Sequence, residues 1–309
     1  MVSPVAVPRA RFGGLLRAWR SSRGRSQLAL ALDAGISSRH LSYMETGRAR
    51  PSREMVLTLA QALEIPLRDR NDLLEAAGFA ALYRETPLDA PALGPVRDAL
   101  SVLLNGSEPN PAFVVNRRYD ILDANATGRW MLSSFAHDLT RFELPYNMAR
   151  LVASPHGLRP HLENWQEVAR KVFVRLRREL GGAHVRDATD EALLAEIEPA
   201  FAELRDPPIA ADAPPLMVGV QFRRAGVVLN LFTTIATLGT ALDVTLQELR
   251  IETLFPADAA SKRLLADRAN IFPPPQAGGS VFSGPLNPPQ LARIRCLAPW
   301  PGLSARRTR

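Results

Sequence analysis

The chain is 309 residues long, carries 38 Lys and Arg against 31 Asp and Glu for a formal net charge of +7, and is 46% hydrophobic. That length accommodates two domains with separate cores. No apolar run of eighteen residues offers a membrane span, and residues 2–7 are too short for a signal-peptide core before Arg9 and Arg11, which points to the cytoplasm.

In chain order, Phe12, Leu15, Leu16 and Trp19 recur at three- and four-residue spacing and predict a first helix that ends near Gly24. Ser26 stands where an N-cap is wanted, so a second helix begins at Gln27. The stretch QLALALD alternates as a strand would, but its alanines and the closing Gly35 favour a helix. Leu30 and Ala31 then face the core, while Leu28 and Leu32, four apart, lie on another face that offers a dock for a second domain. Ile36 staples the turn and Ser37 caps a third helix, with Leu41 and Met44 inward and Ser38, Arg39, Ser42 and Tyr43 outward. Two helices joined tightly at Gly35 cross steeply, so the second projects far enough to enter a DNA major groove.

The outward residues have the chemistry for that groove. Ser38, Arg39, Ser42 and Tyr43 form a base-reading set, in which the arginine fork fits the O6 and N7 of a guanine and discriminates by roughly 1–3 kcal/mol. Ser26, Gln27, Ser37 and His40 are expected against phosphates, because the first turn of a helix attracts anions. From Arg9 to Arg53 ten arginines stand against two acids, Asp33 and Glu45. A merely solvated charged surface is the bland alternative, and the coincidence of charge with motif argues against it. Ser52 then caps a fourth helix with Val56, Leu59, Ala60 and Leu63 inward, and a fifth covers residues 67–77 before Gly78.

Residues 9–78 resemble the XRE family, the Cro and phage-repressor type of DNA-binding domain, through the frame SQ, LA, AG, IS, LS, M-E, G and PS in order and spacing. The resemblance implies an all-α, five-helix, lambda-repressor-like fold for residues 9–80. It also implies a partly buried structural ion pair between Arg20 and Glu45, and a loop carrying Arg48 and Arg50 along the phosphate backbone.

Pro87, Pro91, Gly94 and Pro95 mark residues 81–95 as a looser linker. A short helix over 96–104 follows, then AFVVN and YDILDAN as a hairpin turning at Arg117 and Arg118, and a helix over 126–133. Trp165, Val168, Ala169, Val172, Phe173 and Leu176 trace the apolar face of a long helix over 163–180. LMVGVQFRR, VVLNLFTTIAT and LQELRIETLF read as three antiparallel strands, and PADAASKRLLADRA as a closing helix. The result is an α+β domain over residues 96–272.

Through PAFVVNRRYDILDAN, YNMARLV with NWQEVARKVFVRLRREL, and TLGTALDVTLQELRIETLFPAD, this part resembles the MmyB-like ligand-binding domain, which is PAS-like in fold. The resemblance implies a cavity for a small hydrophobic or acyl-chain effector. Phe113, Trp165, Phe173 and Phe232 are candidates to line it, although aromatic residues so placed are more often plain core. His156 and His161, five apart beside Glu163, do not share a helical face and are expected as surface or capping residues. The lone Cys296 excludes an internal disulfide and a multi-cysteine metal site, so no metal and no cofactor are expected. Residues 273–309, rich in Pro and Gly with a basic end, read as an extended or disordered tail.

The expectation for the whole is a non-enzymatic transcription regulator that binds double-stranded DNA by sequence. One recognition helix reads only ~4–5 base pairs, so a homodimer on an inverted-repeat operator is expected. The alternative is a DNA-binding adaptor whose second domain takes a protein partner, with Leu28, Leu32 and the Trp165 helix as its face. HExxH, GxSxG and a phosphate loop are all missing from the sequence, which disfavours an enzyme carrying a DNA-binding address.

Overall fold

A computed structural model of the protein describes residues 9–181, 188–202, 204 and 219–271. The expected tail with Cys296 lies outside the described residues, as do residues 216–218 at the start of the first of the three late strands.

Five helices build the first lobe: α1 (Arg9–Ser22), α2 (Gln27–Asp33), α3 (Ser38–Glu45), α4 (Arg53–Ala62) and α5 (Leu67–Ala76). The hydroxyls of Ser26, Ser37 and Ser52 accept the backbone N–H groups of Ala29, His40 and Met55, so α2, α3 and α4 begin at the serines that could cap them. Gly35, at φ 66°, closes α2 in the left-handed region where a side chain is strained. Phe12, Leu16 and Trp19 of α1 pack with Leu30, Leu41, Met44, Val56 and Leu59 in one core. At Gly13 the backbone of α1 runs so close to the end of α3 that an added Cβ would lie 2.4 Å from the Glu45 carbonyl oxygen.

The second lobe begins with α6 (Gly94–Gly106) and the hairpin of β1 (Ala112–Val115) and β2 (Ile121–Ala124). Four helices follow: α7 (Ala126–Phe135), α8 (Met148–Ala153), α9 (Trp165–Gly181) and α10 (Ala188–Ala202). The chain then forms β3 (Val220–Arg224), β4 (Val227–Ala236), α11 (Val244–Glu248), β5 (Arg250–Pro256), α12 (Ala259–Ala266) and α13 (Arg268–Ile271). The strands make one antiparallel sheet in the order β2-β1-β5-β4-β3. All four residues of β1 are buried, because both faces of the sheet are covered. Phe113 and Val115 enter the main core with α7, α8, α9 and α10, while Ala112 and Val114 meet Leu100 and Leu104 of α6.

Two expectations are corrected. Residues 246–255 are not one strand: the Asp243 side chain accepts the Thr245 N–H and caps α11, so the strand begins only at Arg250. Leu28 and Leu32 do not dock the second lobe but stand 70% and 79% exposed, because that lobe approaches α5 instead of α2. The stretch expected as a linker makes hydrogen bonds to both sides. Asn71 of α5 bonds the backbone of Leu82 and Tyr83, while Thr86 donates from Oγ1 to Asp243 at 2.6 Å and Val244 donates to the Arg84 carbonyl at 2.8 Å.

The same junction completes α5. Its N-cap residue is Pro66, which supplies no side-chain cap, and the Leu67 N–H is satisfied instead by Gln247 Oε1 of α11 at 2.7 Å. The close approach at Gly13 yields a direct expectation. Gly13→Ala forces backbone apart where no flexible side chain can yield, and lowers stability by about 1–3 kcal/mol. Thermal denaturation followed by circular dichroism measures it, and an unchanged melting temperature refutes the close packing of α1 on α3.

Candidate functional site

Glu45 ends α3 with its side chain fully out of solvent, held from three directions. Arg20 of α1 binds it bidentately, Nε to Oε1 at 2.6 Å and Nη2 to Oε2 at 3.1 Å. Gln27 of α2 donates its side-chain amide to Oε2 at 2.8 Å, and Arg17 comes within 3.4 Å of the same oxygen. Burial alone would push the carboxyl up, but the hydrogen bonds from Arg20 and Gln27 and the charges of Arg20 and Arg17 outweigh it and hold the group below the ordinary carboxylate range. The third helix is thereby fastened to the first two. Gln27 was read only as a phosphate contact, and its hold on Glu45 had no signal in local sequence.

Rigidly anchored from behind, α3 presents Ser38, Arg39 and His40 exposed, with Ser42 and Tyr43 half-buried beside them. Tyr43 organises its neighbours: Arg39 donates Nε to its hydroxyl at 2.9 Å and lies over its ring at 5.4 Å, while Arg48 lies 6.0 Å from the same ring. Ser26 and Ser37 turn their hydroxyls inward to cap their helices, and Arg48 and Arg50 are exposed in the exit loop.

An unbroken run of charges leads from this lobe into the other. Arg68 of α5 binds Glu248 of α11 at 2.7 and 3.0 Å and also grips Glu85. Glu248 lies 3.6 Å from Arg117 in the β1–β2 turn, and Arg117 reaches Asp190 of α10 at 2.7 Å, where Arg118 joins at 2.6 Å. Asp190 is 1% exposed. Breaking such a buried pair would strand a charge.

In the second lobe, an open cleft of about 820 Å³ runs along α10, with Phe142, Ala153, Ile197 and Pro199 as apolar wall and Arg141, Arg150 and Arg159 around them. A smaller space of about 240 Å³ lies by Tyr119, Arg175 and Glu252. Burial pushes the Glu252 carboxyl up, against the opposing charge of Arg175 at 3.1 Å. None of the four aromatic candidates lines either space. Phe113 is wholly buried core, Phe173 stacks on Phe201 at 4.4 Å, and Phe232 on Phe255 at 5.6 Å. Trp165 stands behind the wall of the larger cleft, donating to the Val152 carbonyl at 2.8 Å under the guanidinium of Arg159. His161 Nδ1 lies 3.2 Å from the Arg223 carbonyl, and no group of three metal-ligating residues is assembled among the described residues. No helix among them is long and apolar enough to cross a membrane.

A five-helix lobe whose third helix turns Ser38, Arg39 and His40 to solvent, joined to an α+β lobe with clefts, is the build of a DNA-binding helix-turn-helix transcriptional regulator with a ligand-binding domain. Residues 96–267, more than half of the chain, match the family described as the MmyB-like transcription regulator ligand binding domain, and residues 11–73 match a helix-turn-helix domain. The chain belongs to the MmyB-like family. It is similar to the transcriptional regulator ClgR of two Mycobacterium tuberculosis strains, 37% identical over 62 residues, which are 20% of this chain and 55% of each relative. The chain thus spans about half the length of the curated relatives it matches. Among solved structures it is similar to the clp gene regulator ClgR from C. glutamicum, at 30% identity over 23% of this chain and 87% of that one with a TM-score of 0.20. It is also similar to an HTH_3 family transcriptional regulator from Vibrio cholerae, at 25% identity over 22% of this chain and 36% of that one, again with a TM-score of 0.20.

The Glu45 anchor makes the first lobe sensitive to one substitution and to acid. Arg20→Ala strands a buried carboxylate and destabilises by about 3–5 kcal/mol, a loss read as a lower melting temperature. Because the folded carboxyl lies below its unfolded value, its contribution is complete at neutral pH. It declines once pH falls below ~4.3 and is gone when pH passes the folded value. An Arg20→Ala protein that melts as the wild type does contradicts this role.

Proposed function

We propose that the protein is a homodimeric, sequence-specific regulator that binds an inverted-repeat operator and answers to a small amphipathic effector. The observation that carries the DNA reading is the outward face of α3, with Arg39 pre-oriented by Tyr43 while Glu45 is locked from behind. In this reading Ser38, Arg39, Ser42 and Tyr43 meet base edges. Arg48 and Arg50 follow the phosphates, joined by His40 and by the ends of the helices that Ser26, Gln27 and Ser37 begin. Two such modules about one helical turn apart supply the discrimination that one lacks.

For the effector, the cleft along α10 has an apolar wall that suits an acyl chain, with Arg141 and Arg159, Glu143 and the Arg150–Glu196 pair around it, and its size falls within the usual range for ligand sites. An occupant pressing on α10 acts on Asp190, and through Arg117, Glu248 and Arg68 on α5 of the DNA-binding lobe. No catalytic role is assigned. The adaptor alternative, a protein partner in place of a small molecule, predicts that the purified protein yields no bound molecule when its extract is examined by mass spectrometry.

Footprinting on DNA flanking the gene, at several salt concentrations, tests the base-reading assignment. Arg39→Ala relaxes preference at one base pair by roughly 1–3 kcal/mol. Arg48→Ala weakens all sequences alike and reduces the salt slope by about one. Two variants that both bind as the wild type does refute the assignment.

A further inference from the structure

The start of α5 leaves one acid without a donor. Asp69 is the third residue of that helix, a position from which an acidic side chain folds back to the N–H of the N-cap residue. Here the N-cap is Pro66, which has no N–H, and the next N–H, that of Leu67, is taken by Gln247. Asp69 is only 7% exposed, and its Oδ1 has no hydrogen-bond partner. A buried acceptor left in that state is destabilising and uncommon.

Asp69 lines a cleft of about 710 Å³ between the lobes, with Ile65 and Pro66 on one side and Leu238, Gln247 and Glu248 on the other. The charged groups facing Asp69 are Asp72 and Arg68 on its own helix, Glu248 on α11 and Arg117 in the β1–β2 turn. Arg68 is engaged with Glu85 and Glu248, and Arg117 with Asp190 and Glu248. Arg70, Arg250, Glu64 and Glu179 line the cleft as well, so four arginines face four acids, and Asp69 is the one whose buried Oδ1 has no hydrogen-bond partner.

We infer that the interlobe cleft is a binding site for a small organic cation, an ammonium or guanidinium compound, whose head is received by Asp69 and whose short alkyl body lies on Ile65, Pro66 and Leu238. Such a head supplies the missing donor. Burial first, and the Asp72 charge second, push the Asp69 carboxyl up to about 7. Near neutral pH the empty site is therefore part protonated, and a bound cation ionises it and expels the proton. Since the folded value is raised, the empty cleft is most stable in acid and loses stability as pH rises from the ordinary carboxylate range through about 7. The ligand counteracts that loss. Its effect on operator affinity rests on the DNA-binding reading, but its binding does not.

The test is titration calorimetry of the full chain with agmatine and with 1,4-diaminobutane, without DNA, in buffers of different ionisation enthalpy on either side of about pH 7. Binding should tighten as pH rises and release a proton on the acid side, a readout that needs no variant. Asp69→Asn should weaken binding about 10- to 100-fold and remove the proton release, while Asp138→Asn, in another turn of the second lobe, should change neither. The proposal is overturned if the wild type gives no heat with either amine, or if Asp69→Asn binds as the wild type does. Footprinting is scored separately, so failure here leaves the DNA assignment standing.

Discussion

Glu45 is removed from water and yet kept charged, and the groups that keep it charged belong to α1 and α2 while the residue itself ends α3. One carboxylate therefore sets the mutual angle of three helices. The cost of desolvating it is offset only because Arg20 approaches in bidentate geometry and Gln27 takes a further lone pair, with Arg17 adding charge from the rim. The glycine at position 13 is a consequence of the same closeness, since α1 passes directly over the Glu45 carbonyl. A recognition surface has to hold side chains within a fraction of an ångström of their targets. In this lobe that rigidity comes from behind the helix, where mutation affects folding, and the outward face is free to vary.

Among the described residues, a run of polar contacts ties the second lobe to the first. Gln247 and Glu248 of α11 reach α5, Asp243 and the Arg84 carbonyl tie the intervening segment, and the charge run continues through Arg117 to Asp190. The hydrophobic cores remain separate, so relative movement of the lobes does not open either of them.

Legibility in the sequence followed the range of the interactions. Caps at Ser26, Ser37 and Ser52, the turn at Gly35 and the inward Leu41 and Met44 depend on neighbours within four residues, and they were readable directly. The Arg20–Glu45 pair, 25 residues apart, was available only through resemblance to a family. Arg117 with Asp190, separated by 73 residues, and Gln247 with Leu67, separated by 180, left no trace in pattern or propensity. The error over residues 246–255 has this origin, since β-branched content was weighed while Asp243 as a cap was overlooked. Helix α10 was a different omission. Leu193, Ile197 and Phe201 are spaced four apart and all buried, a stripe that the sequence displayed and that Pro199 within the same helix obscured.

The cap that Gln247 places on α5 bears on how such regulators diversify. A DNA-reading lobe exchanged onto a different sensor would carry its fifth helix away without the amide that finishes it, leaving a proline where a capping side chain belongs. A crossover that parts residues 66–67 from residue 247 therefore removes the acceptor that completes the first turn of this helix.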